Sequence, residues 1–170
     1  MTSIEIVAPD KKYQPSVLAA IKEFEAEGAT GMQWYYGVGD DFDAYVAALN
    51  ARQTTETDTM VPESVYWAIC EGEFAGRISI RHKLNEALKK HGGHIGYDVR
   101  PSFRRRGIAT EMLRLALAEA KKLGIENALL TCADTNIPSI KVIERWGGVL
   151  EKKSLLQPEN KMARYYWITV

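Results

Sequence analysis

The chain has 170 residues, the size of one domain with one sizeable hydrophobic core. Apolar residues make up 46% of it and charged residues 26%, and Lys+Arg equals Asp+Glu at 22 each. A net charge of zero argues against a dedicated nucleic-acid binder, and no apolar run approaches the ~18 residues of a membrane span. The amino-terminal MTSIEIVAPDKK has no basic segment leading into an apolar stretch, so no secretory leader is expected. Cys70 and Cys132 both fall in apolar, strand-like runs and read as buried free thiols rather than a disulfide. A cytoplasmic protein is expected, with residues 1–170 forming one domain, since no repeat or low-complexity linker divides them.

Residues 4–8 form a short apolar run closed by Pro9-Asp10 and read as a strand. Residues 15–28 carry Val17, Leu18, Ile21 and Phe24 near helical spacing, with Pro15 early and Gly28 at the end. Residues 28–42 hold four glycines and the aromatics Trp34, Tyr35 and Tyr36, and predict a loop. Residues 42–51 read as a helix capped by Asp40 or Asp41. The runs 65–70 and 74–81, joined through Glu71-Gly72-Glu73, predict a hairpin. In its second strand Ile78 and Ile80 alternate with Arg77, Ser79 and Arg81, so one face is expected to be wet. Residues 82–93 are polar and predict a loop or short helix, and 94–99 a strand stopped by Pro101.

Residues 107–123 make the clearest helix. Ala109, Met112, Leu113, Ala116, Leu117, Ala120 and Leu123 fall on one stripe, Glu111, Arg114, Lys121 and Lys122 outside it, and Gly124 stands at the C′ position. Residues 128–132 predict a strand, 138–146 a helix after Asn136, and 149–156 and 163–170 two last strands. A strand–helix–strand unit in the middle implies a right-handed parallel crossover, and hairpins elsewhere imply antiparallel neighbours. The expected fold is therefore α/β, with a mixed sheet of about seven strands and about four helices.

The informative stretch runs from His94 to Thr110. A strand leads into a basic turn that opens a long helix, and its first N–H groups have no intrahelical acceptor. The helix dipole places roughly half a positive charge there, Gly107 allows close approach to the backbone, and Arg104, Arg105 and Arg106 raise the local potential. A phosphate or pyrophosphate is the expected guest. No Lys-Ser/Thr pair follows the glycine, so this is not a P-loop, and the three-glycine dinucleotide spacing is absent.

Arg104-x-x-Gly107-x-Ala109 resembles the acyl-CoA signature of the GNAT acetyltransferases. Val99-x-Pro101 before it, and Asn136 with the helix 138–146 and Gly147 after it, are similar to that family's flanking elements. The element order agrees over nearly the whole chain, and the phrases RHKLNEAL and GGHIGYDVRPS look like a little-characterised bacterial branch. The resemblance implies that backbone amides of Arg104, Arg105, Arg106, Gly107, Ile108, Ala109 and Thr110 hold the pyrophosphate of acetyl-CoA. It further implies that the strand 94–99 splays from 127–132 and that pantetheine pairs with backbone near Val99. Asn136 and Ser139 would touch the arm or the adenine end.

The implied reaction moves acetyl from acetyl-CoA to a primary amine of a small molecule or peptide by direct attack. The amine must first lose a proton, and His94 and Asp98, on one strand face, are the candidate bases, with Glu86 and His91 behind them. Asp98 also reads as a solvated or salt-bridged strand residue. Many family members carry a proton-donating Tyr four residues before the Gly that ends the second helix; here that position is Ile143, and Gly148 stands where Phe is usual. A thiol with a pKa of about 8.5 can leave largely unaided, and Tyr97, Tyr165 and Tyr166 are the candidates to substitute, with nothing in the sequence choosing among them. Trp34, Tyr35 and Tyr36 are candidates for the acceptor pocket wall, or cap the core. His82, His91 and His94 fit no zinc spacing, so no metal is expected. A monomer or homodimer is expected, and the alternative to an enzyme is a non-catalytic acyl-CoA sensor.

Overall fold

The computed structural model describes residues 3–28, 38–39, 41–158 and 160–170. Trp34, Tyr35 and Tyr36, and Asp40 as a helix cap, lie outside the described residues.

Strand β1 (Ile4–Val7) leads into helices α1 (Gln14–Ala26) and α2 (Phe42–Ala51). Asp41 caps α2 by accepting the Ala44 N–H at 2.9 Å. Strands β2 (Glu63–Cys70) and β3 (Glu73–Arg81) form the expected hairpin. Strand β2 begins two residues before the expected 65, and this brings Glu63 opposite Arg81. The short helix α3 (Glu86–Lys90), capped by Asn85, precedes β4 (Ile95–Val99). Then come α4 (Ile108–Lys122), β5 (Asn127–Ala133), α5 (Ile137–Arg145), β6 (Val149–Leu156) and β7 (Lys161–Thr169).

The seven strands form two hydrogen-bonded sheets, ordered β1-β2-β3-β4 and β5-β7-β6. Every ladder within them is antiparallel. The expected crossover β4-α4-β5 is present, but its two strands do not share a ladder: the seven strands are divided into two sheets where β4 and β5 meet.

Alternation along the hairpin sorts the core. Ala68 and Cys70 of β2 and Ile78 and Ile80 of β3 pack with Met112, Leu113 and Ala116, the buried stripe of α4. On the opposite face Trp67 and Phe74 meet Val17 and Phe24 of α1 and Tyr45 of α2. The face of β3 read as wet carries Arg77, Ser79 and Arg81. Arg77 and Ser79 are buried and Arg81 is half-buried, and all three line a cavity rather than open surface.

Candidate active site

Strand β4 pairs with β3 in an unbroken register from Ile95↔Ile80 to Val99↔Gly76. No bulge disturbs its alternation. On its other side, the one bridge to β5 among the described residues is Gly93–Leu130, just before β4 begins. There the His94 N–H donates to the Leu129 carbonyl at 2.7 Å, and the Leu129 N–H donates to His94 Nδ1 at 3.0 Å. The imidazole thus takes the place of a main-chain acceptor where the ladder stops.

One cavity of about 680 Å³ lies beside the start of α4. Its floor is the turn Arg104, Arg105, Gly107, Ile108, Ala109 and Thr110; Val99, Asn136 and Ser139 border it. Gly107 is the N-cap residue of α4, at φ 79, and no side chain caps the helix. A non-glycine residue is strained at that φ, and a Cβ there would meet nothing within 4 Å. The N–H groups of Ile108, Ala109 and Thr110 therefore lie at an accessible helix start without intrahelical acceptors. A phosphate fits this donor set. The Trp146 Nε1–H donates to the Thr110 carbonyl at 2.9 Å and ties the end of α5 to this turn.

The basic turn is less positive than its composition suggests. Arg104 bonds both carboxylate oxygens of Glu27, and its Nε–H donates to the Val99 carbonyl at 3.2 Å. Arg106 pairs with Glu71 at 2.9 Å, lies over the Phe103 ring and does not line the cavity. The buried Arg100 is held by Glu23 and Glu73. Arg105, at φ 61, is the arginine of the cavity with no carboxylate partner among the described residues.

A second cavity, of about 540 Å³, lies across the β4–β5 seam. Arg52, Glu63, Arg77, Ser79 and Arg81 line one wall; Thr131, Cys132 and Ile143 line the other. Tyr97, Asp98, Asn136 and Ser139 border both cavities. This junction contains the expected Asp98 and excludes the expected His94. The His94 residue is 8% exposed, packs edge-on against Trp167 and borders neither cavity. Burial, with Arg81 adding to it, lowers its pKa. The two residues share strand parity but are not brought together, because His94 lies at the closed end of the seam. His91 borders the second cavity, while Glu86 borders neither.

Asn136 caps α5 by accepting the Ser139 N–H at 3.2 Å. Among the tyrosines, Tyr165 donates its hydroxyl to the Lys90 carbonyl and Tyr166 donates to Glu144; Tyr97 alone of the three borders both cavities. Burial pushes its hydroxyl up to about 12, against a smaller downward pull from Ser139. Ile143, at the position where the resemblance leads one to look for Tyr, lines the second cavity with an aliphatic surface. A Cβ on Gly148 would collide with Ile143 Cγ2 and stand 2.8 Å from the Ile143 carbonyl oxygen. Both cysteines are free. Cys70 is buried as expected, whereas Cys132 is half-buried and faces the second cavity. Burial raises the pKa of each thiol.

The arginine cluster of the second cavity was missed in the sequence. The alternation on β3 showed that Arg77 and Arg81 share a face, but their convergence on Glu63 depends on the β2 register.

An uncapped helix start beside a divided strand pair, with two cavities that share Tyr97, Asp98, Asn136 and Ser139, is the arrangement expected of an acyl-CoA-dependent acyltransferase. The chain belongs to the acetyltransferase (GNAT) family, whose model matches residues 22–148. Solved structures of the same fold include RimL, a ribosomal L7/L12 alpha-N-protein acetyltransferase, in complex with coenzyme A. It is 20% identical, with a TM-score of 0.72 over 100% of this chain and 96% of that one. The microcin C7 self-immunity acetyltransferase MccE, in complex with acetyl-CoA and AMP, is 18% identical, with a TM-score of 0.70 over 98% and 92% of the two chains. The putative acetyltransferase yncA from Salmonella typhimurium, with acetyl-CoA, is 14% identical, with a TM-score of 0.65 over 99% and 93%. No curated protein sequence matches the chain. Among the described residues no helix is long and apolar enough to cross a membrane.

Proposed function

We propose that the protein transfers acetyl from acetyl-CoA to the primary amine of a small molecule or peptide, by direct attack with both substrates bound. The observation that carries this is the meeting of the two cavities at Tyr97, Asp98, Asn136 and Ser139. The N–H groups at the start of α4 and the Arg105 guanidinium hold the pyrophosphate. The edge of β4 near Val99, which lacks a strand partner on the β5 side, pairs with the pantetheine amides. Backbone N–H groups of β4 meet the charge that develops on the thioester oxygen.

Asp98 takes the first proton of the ammonium, whose ordinary pKa near ~10.4 leaves it protonated at neutral pH. The freed nitrogen bonds to the acetyl carbon and the carbon–sulfur bond breaks. The nitrogen then sheds a second proton, and one proton ends on the departing sulfur. Tyr97, which borders both cavities and is protonated at neutral pH, is the donor we assign, although its hydroxyl is itself buried. The demand on this donor is modest, because a thiol with a pKa of about 8.5 leaves largely unaided. The products are the N-acetyl amine and coenzyme A.

Ile143 favours the second reading, a sensor that binds acyl-CoA without turnover. Calorimetry with acetyl-CoA, followed by thiol release over an amine panel, separates the two. Amine-dependent thiol release, with no acetyl-protein by intact mass, supports the transferase. Acetyl-CoA binding without amine-dependent release selects the sensor.

A further inference from the structure

The second cavity has a composition that the acyl-transfer chemistry does not require. Three guanidiniums, of Arg52, Arg77 and Arg81, line it with two carboxylates, of Glu63 and Asp98, and His91 stands at its border. Glu63 is shared by all three: Arg52 lies 3.1 Å from it, Arg81 3.7 Å and Arg77 3.8 Å. Burial alone would raise the Glu63 pKa, but Arg77 and Arg81, with Ser79 and Arg52, hold it below the usual carboxylate range. Glu63 is therefore a fixed anion clamping three cations, already engaged and poorly placed to receive an ammonium.

Arg77 is the informative member. Its side chain is 9% exposed, and its Nε–H has no hydrogen-bond partner among the described residues. Asp98 stands directly across the ladder from it. Burial still pulls the Arg77 pKa below the ordinary guanidinium value, because Glu63 and Asp98 offset only part of the desolvation. A buried donor left unpaired on a charged group is costly. Arg81 stands two residues further along the same face, its Nη1 3.6 Å from where a Cβ on Gly96 would lie. The same Nη1 donates to the Gly92 and Gly93 carbonyls at 3.4 and 3.3 Å, which fixes the guanidinium at the cavity wall, and the absence of a side chain at Gly96 leaves its face uncovered. Two forks on one strand face, one with an unsatisfied donor, match the acceptor geometry of a carboxylate or phosphate.

We infer that the acceptor amine also carries a carboxylate or phosphate group, held by Arg77 and Arg81, with its amine directed to the junction at Asp98. This rests on the acyl-transfer reading and narrows it. Polyamines, which bring a second cation to a wall of three guanidiniums, are poor acceptors.

The test compares matched amines at saturating acetyl-CoA by thiol release: glycine against glycinamide, phenylalanine against phenylalaninamide, phosphoethanolamine against ethanolamine, and putrescine. The anionic member of at least one pair should exceed its neutral partner at least tenfold in kcat/KM, and the pair that does so distinguishes carboxylate from phosphate. Arg81→Gln, with its fold checked by a thermal melt, should cut that ratio at least fivefold through KM, while leaving the acetyl-CoA Kd within twofold. Arg77→Lys should do the same if folded. Equal or better use of neutral amines or putrescine, no reaction with any panel member, or a ratio untouched in Arg81→Gln overturns the inference. Calorimetry separates the two levels: with acetyl-CoA bound normally, only the anionic acceptor falls; without acetyl-CoA binding, the transferase reading falls too.

Discussion

Arg104 and Glu27 are joined by two hydrogen bonds, of 2.9 and 2.8 Å, from one guanidinium nitrogen to both carboxylate oxygens. The pair links the end of α1 to the signature turn, and the Arg104 Nε–H reaches back to the last residue of β4. Arg104 thus holds the turn in shape, and its charge is offset by a local carboxylate. Arg106 is offset in the same way by Glu71. Arg105→Gln should therefore raise the acetyl-CoA Kd by about tenfold, or ~1.4 kcal/mol, while Arg106→Gln changes it less than threefold. A larger loss in Arg106→Gln, measured by calorimetry at fixed ionic strength, would reverse this assignment.

Gly107 separates strain from charge. Its φ of 79 makes Gly107→Ala cost about 1–3 kcal/mol of stability, with acetyl-CoA binding retained because a Cβ there meets open space. Gly107→Glu carries the same strain and adds a carboxylate at the phosphate position, so it should abolish binding. Denaturant melts and calorimetry on both variants check this, and unchanged acetyl-CoA affinity in folded Gly107→Glu would rule out the helix start as the pyrophosphate site.

Much of the fold could be read from periodicity. The stripe Met112-Leu113-Ala116-Leu117-Ala120 and the alternation in β3 are local patterns, and the elements they predict are present within a few residues. The signature turn is also local, and the residues expected there line the first cavity, apart from Arg106. What escaped depends on long-range pairing. Arg104 and Arg106 find their carboxylates at the end of α1 and in the β2–β3 turn, and no spacing rule connects Arg104 to Glu27 or Arg106 to Glu71. His94 follows strand parity with Asp98, yet it lies at the closed end of the seam, where its ring replaces a ladder acceptor. Parity orders residues along β4, but it does not reveal that β5 leaves the strand after the Gly93–Leu130 bridge.

His94 should matter to stability more than to chemistry. His94→Leu removes the acceptor of the buried Leu129 N–H, a loss of about 1–3 kcal/mol. Burial holds the folded-state pKa below the ordinary 6.5, so the unfolded chain takes up a proton there first. The contribution of the neutral ring is whole above about pH 6.5 and declines as pH falls through the folded-state value. Urea melts between pH 5 and 8 should show a flatter pH dependence in His94→Gln than in wild type. An equal slope in both would mean that the ring is not kept neutral by its surroundings.

Cys132 faces the second cavity, yet burial raises its pKa. A thiol kept protonated is a poor nucleophile, and attack by the amine needs no acetyl-cysteine. Cys132→Ala should retain kcat within about threefold, and intact mass after mixing with acetyl-CoA alone should show no added acetyl group. An acetylated wild-type protein that passes its acetyl group to an amine would replace direct transfer with a two-step route.

Asp98 is the strongest candidate base, because it borders both cavities. A removed general base typically costs about 10²–10⁴ in rate. Asp98→Asn should lower kcat by that amount at pH 7, with the deficit shrinking as pH rises toward the amine's own pKa, because solvent then supplies neutral amine. Tyr97→Phe should cost less, about tenfold or under, since the thiolate leaves with little help. Its deficit should be smaller at low pH, where solvent protonates the departing thiolate, and larger toward pH 9. Asp98→Asn changes charge as well as function, so acetyl-CoA Kd is measured beside kcat. Wild-type kcat from pH 6 to 9 in Asp98→Asn, assayed with a productive acceptor, would move the base elsewhere, and His91 at the border of the second cavity would then be the next residue to test.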